Sequence, residues 1–379
     1  MKNFAFLFFL SSALTLNAQK LYYPEKNKEW KEIDPEFFKI NNLNDVINFA
    51  ISNEYSGDND LRIAILKSFS REPYHKILGP TKKRGGPAGV ILKNGYIIGK
   101  WGDVNRVDMT FSVTKSYLST IAGIAYDKGL ILNLDQKLSE IIWDGTFEGN
   151  HNKDITWSHL LDQSSDWSGQ LWDTYDWGDR PISKSLDSMR YRKLYKPGTH
   201  YKYNDVRVNV LAYSLLNIFR EPLPRILKNN IMDNIGASNT WRWYGYDNSW
   251  VNMDGQWIQS VSGGGHSGGG MFINTLDHAR FGLLFLSNGN WNGKQLISKE
   301  WIKKATTPSN TNPSYGYMWW LNNPKGERFV KNTSSKIYFA AGFGGNYIVV
   351  IPDKNIVVVT RWLEPKKLNE FIEQLYKLI

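Results

Sequence analysis

Ser112 and Lys115 stand three residues apart in FSVTKSYLST, Phe111 to Thr120, at the head of an apolar run that continues to Ala125. That spacing is close to one helical turn, so both side chains share a face. A Ser hydroxyl is a poor nucleophile until a base takes its proton, and a neutral Lys amine one turn away can take it. The first turn of a helix adds free N–H groups and the positive end of the dipole, which stabilise an oxyanion formed there. This is the only Ser-x-x-Lys in the chain. Alone, it does not separate a nucleophile from a Ser near a helix N-cap beside a solvated Lys.

Two further stretches offer chemistry. In HYKYNDVRVN, His200 to Asn209, Tyr203 can relay a proton between nucleophile and leaving group, and Asp205 can hold the Lys ammonium or the substrate. Taken alone, such a Tyr is ordinarily a packed side chain. In AAGFGGNYIVVIP, Ala340 to Pro352, Gly342 and Gly344 let a substrate backbone approach and leave N–H groups for an oxyanion. Glycines in a turn or bulge are the plainer reading of that stretch.

A rival nucleophile sits in Gly265-His266-Ser267-Gly268-Gly269, which satisfies the Gly-x-Ser-x-Gly elbow of α/β-hydrolases. That fold needs its Asp and then its His after the Ser. The only His beyond Ser267 is His278, eleven residues on, too close for the usual layout. The glycines are read instead as a tight loop beside the cleft. The remaining His residues, at 75, 151, 159 and 200, give with these two no pair at metal-ligand spacing, and there is no Cys. His159 in WSHLL reads as a buried, hydrogen-bonded His. No phosphate-binding Gly-Lys loop is present, so neither metal nor cofactor is expected.

The elements that must position these residues are legible in outline. Leu43 to about 54 has apolar residues at helical spacing. Ala88–Leu92 and Tyr96–Trp101, joined through Asn94-Gly95, read as a β-hairpin, since both turn positions tolerate positive φ. Val206–Phe219 and Asp277–Leu286 read as helices. Asn346–Ile351 and Ile356–Arg361 form a second hairpin, and Leu368–Ile379 an amphipathic helix. Strands near both ends with helices between them predict a mixed α+β fold, a mixed lobe closed by both termini with a helical lobe inserted. The expected boundaries are a leader over 1–18, a surface lead-in and first helix over 19–85, a mixed lobe from 86–126 and 270–379, and a mainly helical lobe over 127–269.

At 41% hydrophobic and 22% charged, the 379 residues have the make-up of a globular protein. The net charge of +10 is spread out, with Lys82-Lys83-Arg84 the only tight run, read as a solvated loop. No nucleic-acid module is recognisable. Lys2 followed by the apolar run Phe4–Leu10, with small residues near Ala18, reads as a secretory signal peptide, so export to the periplasm or beyond is expected. No later stretch is apolar enough to span a bilayer, and no stable membrane insertion is expected after cleavage.

Together the three motifs resemble the serine β-lactamase and penicillin-binding-protein superfamily, in its esterase and class-C-like branch. That family carries Ser-x-x-Lys at a helix start, then Tyr-x-Asn, then a Lys- or His-Thr-Gly triplet on the strand beside the nucleophile. Order and intervals match here, and PAGVILKNG, ITWSHLLDQSS and SGGGHSGGGMFINTLDHARFG extend the likeness over about 86–362. The resemblance implies an antiparallel sheet flanked by helices, with Ser112 acylated, Lys115 its base and Tyr203 the proton relay. Two departures matter: the family's Asn falls on Asp205, and Ala340-Ala341-Gly342 lacks the Lys or His that binds a substrate carboxylate. An ester or amide hydrolase without a carboxylate requirement fits better than an efficient β-lactamase or transpeptidase, and the expected partner is a small-molecule ester, amide or peptide substrate. The alternatives are a penicillin-binding or sensor module of the same fold and a D-amino-acid peptidase or β-lactamase.

An ordinary Lys costs roughly 4.6 kcal/mol to deprotonate at pH 7, so the site is expected to depress Lys115. A carboxylate at Asp205 opposes that, and Asp205 is therefore expected to act in a network with Lys115 and Tyr203. Trp167, Trp172 and Trp177 are candidates for an acyl or leaving-group pocket, with a core role the alternative.

Overall fold

The computed structural model describes residues 21–379, so the expected leader lies outside the described residues. Asn94 and Gly95 both take positive φ, 51° and 86°, the two-residue turn that suits twisted flanking strands. They join β1 (Ala88–Lys93) to β2 (Tyr96–Trp101). Near the other end, β3 (Trp320–Leu321), β4 (Tyr338–Gly342), β5 (Asn346–Ile351) and β6 (Ile356–Arg361) complete an antiparallel sheet in the order β3-β4-β5-β6-β1-β2. The two expected hairpins therefore meet in the middle, with Ala88 opposite Arg361 and Lys93 opposite Ile356.

The helices that cover this sheet and carry the site are α1 (Leu43–Ser52), α2 (Thr114–Asp127), α3 (Asp205–Phe219), α4 (Thr275–Leu286) and α5 (Leu368–Leu378). β5 and β6 are buried throughout because both sheet faces are covered, and their residues Tyr347–Ile351 and Ile356–Val359 are all apolar. Ile348, Val350, Val357 and Val359 face the core shared with α2, α3 and α4. Val349, Ile351, Ile356 and Val358 alternate with them and face the core under α1 and α5. Among the described residues no helix is long and apolar enough to cross a membrane.

Four expectations need correction. Within 127–269, expected to be mainly helical, Arg242–Met253 pairs with Gln256–Val261 and joins Gly270–Ile273 and Asp108–Met109 in a second sheet. Its aromatic residues suit a pleated surface, and Asp254-Gly255, with φ of 54° and 80°, supplies the turn. The lead-in is not merely on the surface: Trp30 is buried, its Nε1 donates to Gly95 O at 2.8 Å, and Ile33 N–H donates to Ile97 O at the β2 edge. A helix at Leu61–Ser68, capped by Asp60, was not anticipated there. Finally, Arg84 is no solvated loop residue; it is buried, 2.5 Å from Glu54 Oε1, and donates to Tyr55 O.

Candidate active site

The chain enters α2 through the tight turn Phe111–Val113. Phe111 takes a φ of 48°, which bulky L-residues rarely adopt. Neighbours hold it there. Thr110 N–H donates to Met271 O at 3.0 Å, and the Thr110 carbonyl accepts Val113 N–H at 3.3 Å. His278 ties Thr110 Oγ1 at 2.8 Å and the Tyr117 hydroxyl at 2.9 Å. Phe111 and Val113 are buried and Ser112 only half-buried, so Ser112 is the open position of a strained turn.

Lys115 Nζ lies 2.8 Å from Ser112 Oγ, 3.3 Å from Gly263 O and 2.7 Å from Asp205 Oδ1. Burial pulls Lys115 down, but the Asp205 carboxylate, with Tyr203 adding to it, more than offsets this, and Lys115 stands above its ordinary value. The expected depression of Lys115 is thus overturned, for a plain reason: a carboxylate stands where the family has a neutral Asn. At rest Lys115 is an ammonium that donates to Ser112 Oγ. For Asp205 burial also works against the charged form, yet Arg180 and Lys115 hold it well below the usual carboxylate range.

Asp205 is the hub of a larger network than expected. Its Oδ2 accepts from Arg180 Nη1 at 3.1 Å and meets His266 Nδ1 at 2.8 Å. His266 Nε2 lies 2.5 Å from Glu72 Oε2, and Glu72 Oε1 accepts the Arg180 backbone N–H at 3.1 Å. Asp179 Oδ1 pairs with Arg180 Nη1 at 2.5 Å, while its Oδ2 accepts the Asp205 N–H. Burial disfavours a charged His266, but the bonds to Asp205 and Glu72 prevail and raise it to about 9. Sequence reasoning missed Glu72, Asp179, Arg180 and His266. Glu72 and His266 are 194 residues apart, and no local period marks either.

Tyr203 reaches this network through its ring. Lys115 Nζ stands 5.1 Å and the Arg180 guanidinium carbon 4.9 Å from the ring centroid, within range of cation–π attraction. Asn204 fixes the position by capping α3, its side chain accepting from Arg207 N–H at 3.0 Å. Trp320 stacks on Tyr203 at 5.8 Å and Tyr315 meets it edge-on at 6.2 Å. The three Trp candidates are engaged elsewhere. Trp167 is buried, with Nε1 donating to Thr146 O at 2.8 Å; Trp177 stacks on Tyr175, and Trp172 meets Tyr213.

β4 lies hard against the Ser112 turn. A Cβ on Gly342 would sit 2.2 Å from Thr110 O, so only glycine permits the approach. Gly344 takes a φ of 74° in the turn from β4 to β5. The elbow around Ser267 is neither a strand-to-helix turn nor supplied with a base. The Ser267 carbonyl accepts the N–H groups of Leu78 and Gly79, and His278 is held by Thr110 and Tyr117. The glycine loop does back the site, however. Gly264 takes a φ of 77°, and a Cβ there would lie 2.0 Å from Phe111 O. His159 is hydrogen-bonded as expected, with Nδ1 accepting from Thr156 N–H at 3.2 Å, but it is half-buried rather than buried.

Residues 90–362, well over half of the chain, match the family model described as Beta-lactamase. The chain belongs to the beta-lactamase family. Members are hydrolases of the β-lactamase/transpeptidase fold, and the solved structures agree on that fold. A putative 6-aminohexanoate-dimer hydrolase from Bacillus anthracis is similar over 95% of this chain and 87% of its own, at 15% identity and a TM-score of 0.60. A penicillin-binding protein homologue from Caulobacter crescentus covers 86% of this chain and 99% of its own, at 14% identity and 0.56. A family VIII carboxylesterase covers 78% of this chain and 93% of its own, at 16% identity and 0.55. No curated protein matches. In this family member, then, Ser112, Lys115, Tyr203 and Gly342 come together around one turn, with Asp205 behind Lys115.

Proposed function

We propose that this beta-lactamase-family chain is a serine hydrolase that cleaves an ester or amide through an acyl-enzyme on Ser112. The observation that carries the reading is the 2.8 Å contact between Lys115 Nζ and Ser112 Oγ on the open position of a strained turn. In the fraction of molecules whose Lys115 has given its extra proton to water, Ser112 Oγ attacks the substrate carbonyl carbon while its own proton passes to the neutral amine of the Lys115–Tyr203 pair. The oxyanion lies between the Ser112 N–H and a backbone N–H of the 342–345 stretch. Collapse breaks the bond to the leaving group, which takes a proton from the same pair. Water then repeats the sequence and frees the acid.

Ala340-Ala341-Gly342 offers no cation to a substrate carboxylate, which favours an ester or amide without that group over a β-lactam. A carboxylesterase among the similar structures supports the ester half. The leader expected over 1–18 supports export to the periplasm or beyond. The test is steady-state hydrolysis of a short-chain p-nitrophenyl ester by wild type, Ser112→Ala and Ser267→Ala, with a chromogenic cephalosporin alongside. Loss of turnover in Ser112→Ala alone upholds the reading. Loss in Ser267→Ala alone replaces it with the elbow, and a single burst from wild type replaces it with a penicillin-binding or sensor role.

A further inference from the structure

Behind the acylation machinery, one cluster has the donor set of a metal site. Glu72 and His75 stand one turn apart, with the His75 N–H donating to Glu72 O at 3.3 Å. His266 meets them from the glycine loop. One donor atom from each of the three lies within 4.8 Å of the other two. His266 Nε2 and Glu72 Oε2 are already 2.5 Å apart, and the two imidazole rings 5.0 Å between centroids.

Two further observations point to a ligand. His75 Nε2 is shut off from solvent with no hydrogen-bond partner, a state that buried polar atoms rarely keep. His266 Nδ1 meets Asp205 Oδ2 at 2.8 Å, and Phe69 stacks on the ring at 4.1 Å, so the ring plane is fixed with Nε2 aimed at Glu72. A carboxylate on the far nitrogen is how metal-binding imidazoles are commonly oriented.

We propose that Glu72, His75 and His266 bind a divalent ion of the zinc class through one carboxylate oxygen and two imidazole nitrogens. Zinc holds such donors at about 2.0–2.2 Å and keeps a further position for water when the protein supplies three. Donors at that distance from a tetrahedral ion lie about 3.3–3.6 Å from one another, so the 2.5 Å His266–Glu72 pair opens and the wider spacings, up to 4.8 Å, close. The ion takes the place of the proton between His266 and Glu72: the Nε2–H bond breaks, the proton leaves to water, and the coordinate bonds form without redox change. Asp179 and Asp205, which also approach His266, are already committed to Arg180 and Lys115. The site departs from the sequence expectation of no metal, because His266 is 194 residues from Glu72 in the chain.

The test strips the full-length protein with a chelator and titrates it with Zn²⁺ alone, by calorimetry and by equilibrium dialysis with metal analysis. Wild type is expected to take up one equivalent. His75→Ala and Glu72→Gln are expected to bind at least about tenfold more weakly, and Ser112→Ala to bind as wild type, which separates this site from the acylation reading. No uptake by wild type, or equal uptake by both ligand variants, overturns the proposal. If the variants do not fold, zinc-edge anomalous diffraction from a wild-type crystal decides. A peak between the three side chains upholds the site, and its absence rejects it.

Discussion

Replacing Asp205 by Asn removes the carboxylate that keeps Lys115 charged while leaving the shape of the site. Unit charges about 4 Å apart in an effective dielectric of about 20 attract by about 4 kcal/mol, equivalent to about 3 pKa units. Asp205 divides its charge among Lys115, Arg180 and His266, so Lys115 feels only part of that attraction and is still held above its ordinary value. Lys115 is raised, so its stabilisation is complete below 10.5 and is lost as pH rises through the still higher folded value. Asp205 is lowered, so its contribution is present above 3.8 and is lost as pH falls through its folded value. Between those limits the pair supports the fold and suppresses the free amine. Wild-type kcat/KM is therefore expected to climb with pH across the neutral range, by up to about tenfold per unit. In Asp205→Asn the acid limb should move to lower pH, because burial, which pulls Lys115 down, is no longer opposed by the carboxylate. Unfolding free energy at neutral pH should fall by about 3–5 kcal/mol, because buried Lys115 and His266 and half-buried Arg180 lose their shared anion. The assay is a pH–rate profile on a p-nitrophenyl ester, with urea unfolding of both proteins. A folded variant whose acid limb stays in place, or moves up, refutes the argument that Asp205 sets the protonation of Lys115.

Other perturbations probe the scaffold. Gly342→Val puts a Cβ 2.2 Å from Thr110 O and forces β4 off the Ser112 turn. Ester kcat/KM should drop at least about tenfold while stability falls by about 1–3 kcal/mol, read from kinetics and thermal melts. Burial, with Arg361 adding to it, holds His278 well below 6.5. The unfolded chain therefore takes up a proton there first, and His278 erodes stability by up to about 1.4 kcal/mol per pH unit below 6.5. His278→Gln should flatten the acid side of the stability–pH curve measured by urea unfolding. Arg207, fully buried, pairs with Asp166 at 2.7 Å and Asp176 at 3.0 Å, and the Asp176 carbonyl accepts from Asn204 beside Tyr203. Arg207→Met should cost about 3–5 kcal/mol in denaturant unfolding and lower kcat as the cap of α3 loosens.

The parts of this molecule governed by short-range rules were the parts legible in the sequence. Ser112 and Lys115 share a face because their spacing is one turn, and Asn94-Gly95 dictates the first hairpin by its φ values alone. β5 and β6 announce themselves through the apolar runs Tyr347–Ile351 and Ile356–Val359. Asp254-Gly255 carried the same kind of turn signal for the second sheet, but the Trp- and Asp-rich texture around it obscured the strand pattern. The acidic surroundings of Lys115 were beyond reach for a different reason. Glu72, Arg180 and His266 lie in irregular segments, and only the packing of the lead-in against the glycine loop brings them to Asp205. Asp205 itself was legible as a departure from the family pattern. The direction of its effect on Lys115 could be settled only when the distance was known, since burial and the carboxylate pull opposite ways.

The most direct test of the central claim is to trap the acyl-enzyme. Wild type would be mixed briefly with p-nitrophenyl acetate, quenched in acid, and read by intact mass and then by fragmentation of the tryptic peptide Val107–Lys115. The account predicts one acetyl group per chain, on Ser112, and none in Ser112→Ala. Acetyl on Ser267, or turnover with no covalent adduct on Ser112, would contradict it.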